Sequence, residues 1–110
     1  MSLATGMKLF SSYAAGDAAS SEYGIPVYGG PLRQVIAAVF CWATNFQGGT
    51  VTIQISPDGT NWFTARRVNE QQSQFTVSDV HMVHLRGRYI RAELTGTGAS
   101  VTDLNVQVFM

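Results

Sequence analysis

The sequence predicts an all-β fold: an antiparallel β-sandwich, jelly-roll-like or alternatively immunoglobulin-like in connectivity, led by an extended N-terminal arm. Three observations predict it. Seven or eight segments of strand type follow one another at short spacing. Gly-rich turns separate them. No segment holds a helical apolar period beyond two turns. A chain of 110 residues makes one domain. Burying roughly 60–70% of its unfolded surface gives such a chain a core without disulfide or metal staples.

Residues 1–31 form the arm. They are rich in Ala, Ser and Gly, and the aromatic anchors Phe10, Tyr13, Tyr23 and Tyr28 recur along them. Short strands are expected at Met7–Tyr13 and Ile25–Tyr28. This segment has too little apolar surface to fold alone, so order in it needs a docking surface. Residues 32–110 form the sandwich. In its first strand, Val35, Ala37, Val39, Cys41 and Ala43 share one face, while Ile36, Ala38, Phe40 and Trp42 share the other. Both faces are apolar, which predicts a strand covered twice, once by the core and once by the arm or a partner chain.

Asn45–Gly49 is a turn. Val51, Ile53 and Ile55 then alternate with Thr52, Gln54 and Ser56, a half-buried strand. Ser56-Pro57-Asp58-Gly59 reads as a hairpin turn: Pro57 presets its first corner, Asp58 suits the second, and Gly59 accepts a left-handed backbone. Trp62–Val68 is the expected return strand. Gln74–Val80 and His81–Leu85 read as one strand or two. In Arg88–Leu94, Ile90, Ala92 and Leu94 point inward and Tyr89, Arg91 and Glu93 outward. The last strand lies within Val101–Met110, with Leu104, Val106, Val108 and Met110 on one face.

Composition excludes several functions. Seven basic and seven acidic residues cancel, which argues against a nucleic-acid binder that works by bulk charge. The longest apolar run, Val35–Ala43, has nine residues, far short of the roughly 20 of a membrane helix. No secretory leader follows Met1. Cys41 is the only cysteine, lies in the most apolar strand, and reads as a small buried hydrophobe. His81 and His84 fall on opposite strand faces and cannot share a metal without a bulge, and no third ligand is near them in sequence. The carboxylates Asp17, Glu22, Asp58, Glu70, Asp79, Glu93 and Asp103 are scattered along the chain. No catalytic residue, metal site or cofactor is therefore expected.

The interface signals are stronger. Only 13% of residues are charged, which is poor dress for a free, concentrated monomer. Six of the seven basic residues are Arg, a residue favoured at protein interfaces where Lys is depleted. Arg86 and Arg88 are expected on one face and Arg91 on the other. The aromatics Trp42, Trp62, Phe63 and Tyr89 would form a sugar-stacking platform if exposed, although Trp42 is expected to be packed.

The run VTIQISPDGTNWF (Val51–Phe63), followed by Gly87-Arg88-Tyr89-Ile90-Arg91-Ala92, resembles the second half of a discoidin-type jelly roll. The same strand–DGTNW–strand text is similar to that of small β-sandwich structural proteins of tailed bacteriophages. The resemblance covers residues 50–110. The chain is shorter than a discoidin domain and has no counterpart of its ligand loops, so no ligand residue carries over. With the arm-plus-sandwich layout, the resemblance implies a non-enzymatic virion structural protein, made in the host cytoplasm. Its expected role is a head decoration or cement protein bound to the major capsid protein or other virion proteins. A tail or neck component and a carbohydrate-binding module are the alternatives. The expected oligomer is a dimer or trimer, with no membrane or nucleic-acid partner. Its expected contacts are Phe10, Tyr13, Tyr23, Tyr28, Phe40, Trp42, Arg86 and Arg88.

Overall fold

The computed structural model describes residues 6–25 and 35–110. They contain eleven strands and no helix: β1 (Met7–Tyr13), β2 (Ala18–Ala19), β3 (Tyr23–Gly24), β4 (Val35–Trp42), β5 (Thr50–Ser56), β6 (Phe63–Thr64), β7 (Arg66–Arg67), β8 (Gln74–Phe75), β9 (Asp79–Leu85), β10 (Tyr89–Thr95) and β11 (Leu104–Phe109). Two antiparallel sheets pack as a sandwich. One has five strands in the order β1-β11-β4-β9-β7. The other has six, ordered β2-β10-β5-β6, with β3 also on β10 and β8 on β5.

The pairing has a simple rule. β1 pairs with β11, β2 and β3 with β10, β4 with β9, and β5 with β6. The first half of the chain thus pairs with the second half in reverse order. Successive pairs alternate between the sheets, as in a long hairpin rolled into a sandwich. This is jelly-roll connectivity.

The core follows from alternation. Ala37, Val39 and Cys41 of β4, Ile90, Ala92 and Leu94 of β10, and Leu104, Val106 and Val108 of β11 are all buried. Val51 and Ile53 of β5, the neighbour of β10 in the six-stranded sheet, pack into the same core opposite β4 and β11. The expected hairpin turn is present, with Gly59 at φ 79°. Asp58 Oδ1 accepts the Thr60 and Asn61 amides at 2.9 and 2.8 Å, and Ser56 Oγ accepts the Gly59 amide at 2.8 Å. The Asn61 amide leads the hydrogen bonds that hold the Asp58 carboxyl far below the usual range.

The described arm residues are strands of the sandwich itself. β1 lies at the edge of the five-stranded sheet, at the expected bounds. Residues 15–25 run along β10, where the Ser20 amide donates to Ala92 O at 2.8 Å and the Ile25 amide to Arg88 O at 2.7 Å. Asp17 clasps the β10–β11 connection by accepting the Thr97 hydroxyl (2.6 Å) and the amides of Thr97 and Gly96. These bonds, with the Thr97 hydroxyl first, lower the Asp17 pKa. Of the strand expected at 25–28, Ile25 is buried but outside any strand. Residues 26–28 lie outside the described residues.

Three local expectations shift. The return strand after the hairpin splits at buried Ala65, so that β6 stays in one sheet and β7 crosses to pair with β9 in the other. The break between β8 and β9 falls at Thr76–Ser78 and not at Val80/His81, because Phe75 pairs with Val51 while Asp79 onward pairs with β4. Arg86 and Arg88 share no strand face. They flank Gly87 at the corner where the chain passes from β9 to β10 and so changes sheet. Gly87 is required there, since a Cβ would sit 3.0 Å from Ser56 O.

Candidate functional site

The two outer faces of the sandwich differ in chemistry. On the six-stranded sheet, the polar side chains satisfy one another. Arg91 Nε donates to Gln54 Oε1 at 2.7 Å, Gln54 Nε2 donates to Glu93 Oε1 at 3.4 Å, and the Arg91 guanidinium lies 4.2 Å over the Trp62 ring. One face of the Trp62 ring is therefore occupied by its own chain, and the residue is half-buried.

The outer face of the five-stranded sheet is apolar. β4 presents Ile36, Ala38, Phe40 and Trp42 there, and β9 adds Val80 and Met82. The register sets Ile36 beside His84, Ala38 between Met82 and Phe109, Phe40 between Val80 and Gln107, and Trp42 beside Asn105. Ile36, Phe40, Trp42, Val80 and Met82 each expose between 40% and 50% of their surface. No Asp, Glu, Lys or Arg stands on this face of the three central strands. Phe109 meets Phe40 edge-on, with ring centroids 5.7 Å apart. At one rim, His84 Nδ1 is buried with no hydrogen-bond partner among the described residues.

The double apolar pattern of residues 35–43 was expected to mean two covers. The core is one. Among the described residues no second cover is present, because the arm lies on strand edges and not across this face. Trp42, expected to be packed, is exposed. Beside it a shallow pocket of about 100 Å³ is lined by Lys8, Phe10, Ser11, Asn105 and Gln107.

The other expected contact residues are dispersed. Phe10 is buried in the chain's own core and packs on Tyr13 at 4.8 Å. Tyr13 is half-buried and its hydroxyl donates to Gly16 O at 2.8 Å. Tyr23 is exposed, with its hydroxyl 3.3 Å from Lys8 O. Tyr28 lies outside the described residues. Arg86 pairs with Glu70 at 3.0 Å, while Arg88 is exposed at the same corner. Only Phe40 and Trp42 share the apolar face. The face also holds Ile36, which the sequence already sets beside Phe40, and Val80, Met82 and Phe109, which it does not; placing these beside β4 requires the register, which sequence alone does not supply.

His81 points inward and is buried, whereas His84 faces outward. No group of three or more His, Cys, Asp or Glu side chains suited to a metal occurs among the described residues. No helix there is long and apolar enough to cross a membrane. Burial pushes the Cys41 thiol up to about 12. A thiol reagent at neutral pH is therefore expected to modify native Cys41 at least ~1000-fold more slowly than the unfolded chain. Rapid modification of the folded protein would contradict this placement.

Comparison with protein-family models, curated proteins and solved structures gives no significant match.

Proposed function

We propose that this chain is a non-enzymatic structural subunit of a virion, a head decoration or cement protein that stabilises a capsid by binding neighbouring subunits. The observation that carries the reading is the solvent-facing apolar surface centred on Phe40, whose three central strands carry no charged side chain and whose flanking strands carry Lys8 and Arg66. Contiguous apolar patches on soluble β-proteins mark contact surfaces, and a subunit that spends its life in an assembly keeps such a patch covered. The mechanism is mass action: a protein that binds only the assembled shell stabilises it by the free energy of association. The resemblance of Val51–Phe63 to phage β-sandwich proteins supports the same reading.

The test is direct. Particles are purified from cells that make this chain, their proteins identified by mass spectrometry, and the chain located by antibody labelling in the electron microscope. Label on heads is the expected result. Label on tails selects a tail or neck component. Particles that lack the chain overturn the proposal.

A second reading, a carbohydrate-binding module, is favoured by one observation. Exposed Trp42 borders a pocket whose other walls carry the polar groups of Lys8, Ser11, Asn105 and Gln107. Aromatic and amide groups together suit a saccharide. On a glycan array this reading requires binding that Trp42→Ala abolishes and Trp62→Ala leaves intact.

A further inference from the structure

We propose that the outer face of the five-stranded sheet is covered by a second copy of this chain, giving a two-fold dimer in which these faces pack sheet on sheet. The inference rests on the reading of the chain as an assembly subunit and names the occupant of its apolar surface.

Four features single out a second copy. The first is charge. Charged side chains on this face are confined to its flanking strands, Lys8 beside Gln107 and Arg66 beside His84, so the central strands can meet their own image while both cations stay at the rim. The second is relief. Ala38 makes a hollow bordered by Met82 and Phe109 in its own row and by Phe40 in the next. With the two-fold axis lying between the sheets and running across the strands, the Ala38 row of one copy faces the Phe40 row of the other. Each Phe40 then enters the hollow over the opposing Ala38, and Ile36 opposes Trp42. Such reciprocal contact is the condition for a closed two-fold interface.

The third feature is area. The five large exposed side chains present on the order of 500 Å² per copy, so two copies bury on the order of 1,000 Å², the threshold for a specific interface. The fourth is the state of the alternatives. The β1 edge is blunted by register shifts on either side of Phe10 and by Ser12 at φ 51°, which discourages edge-to-edge strand addition. The outer face of the six-stranded sheet already satisfies its own polar groups.

The test measures mass in solution. The full chain is examined by sedimentation and light scattering across a concentration series, beside three variants: Met82→Lys, Val80→Lys and Val77→Lys. All three replace exposed side chains, so far-UV circular dichroism and thermal melting should match the parent. Val77 lies in the β8–β9 connection, off the face, and serves as the control. The expected result is a dimer for the parent and for Val77→Lys, with dimer dissociation raised ~100-fold or more in Met82→Lys and Val80→Lys. A parent that is monomeric at every concentration overturns the proposal, as does a trimer or larger ring. A dimer indifferent to both face variants overturns it too. A monomeric parent that still decorates particles overturns the dimer and leaves the virion reading standing. A dimer whose chain is absent from particles does the reverse.

Discussion

A chain that begins at residue 35 is expected not to fold into the native sandwich. Composition makes residues 1–31 look like an appendage, whose removal would leave a stable domain without its clasp. The structure gives residues 6–25 a different role. They supply Leu9, Phe10 and Ile25 to the core. Burial of each such side chain is worth about 1.5–3 kcal/mol, so the three together account for about 5–9 kcal/mol of a total stability of about 5–15 kcal/mol. Their loss also strips β1 from β11 and the β2–β3 segment from β10. The truncated chain should lose near-UV circular dichroism and show no cooperative urea transition. Cooperative unfolding near the midpoint of the full chain would show that the arm is dispensable. The intermediate case is Phe10→Ala, expected to cost about 3–5 kcal/mol while keeping a cooperative transition.

The same segment shows why part of the fold was legible and part was not. β5, the Asp58 turn, β10 and β11 were readable because each carries its own local signal: a period of two, or a turn residue with one physical use. The Ala-, Ser- and Gly-rich stretch from Ala15 to Gly24 carries no such signal. Its order comes from backbone bonds to β10 and from Asp17, whose carboxylate accepts from the Gly96 and Thr97 amides about eighty residues away. Two-residue strands such as β6 and β7 are too short to show a period, so the change of sheet at Ala65 was invisible. Arg86 and Arg88 read as strand residues because alternation on either side runs up to Gly87. The apolar face was legible as a face that avoids water. A pattern of side chains records that avoidance without naming what covers it, which is why the sequence leaves the cover over Trp42 open between the arm and a partner chain.

Phe75→Ala should produce a loss as large as any single core substitution, together with a change in pH dependence. Phe75 is the largest fully buried side chain among the described residues. Its ring stacks on His81 with centroids 3.8 Å apart and planes 14° from parallel. Truncation of a buried Phe costs about 3–5 kcal/mol. His81 is itself buried and lies 3.1 Å from Ser73 Oγ through Nδ1. Burial, then the nearby Arg67 charge, lower its pKa below 6.5, and Asp79 only partly opposes them. Between that depressed value and 6.5 the unfolded chain binds more protons than the folded one. His81 therefore leaves stability intact above 6.5 and erodes it as the pH falls below 6.5 toward the folded value. Removing the Phe75 ring opens a cavity beside the imidazole and admits water, which relieves the burial that disfavours its charged form. Urea unfolding at about pH 7.5 and about pH 5 separates the two effects, because the carboxylates with lowered pKa, Asp17, Asp58 and Glu70, titrate below the window and are common to parent and variant. The parent should lose stability between the two conditions. Phe75→Ala should start lower and lose less. An equal or larger pH-dependent loss in the variant would mean that the Phe75 ring does not keep His81 dry.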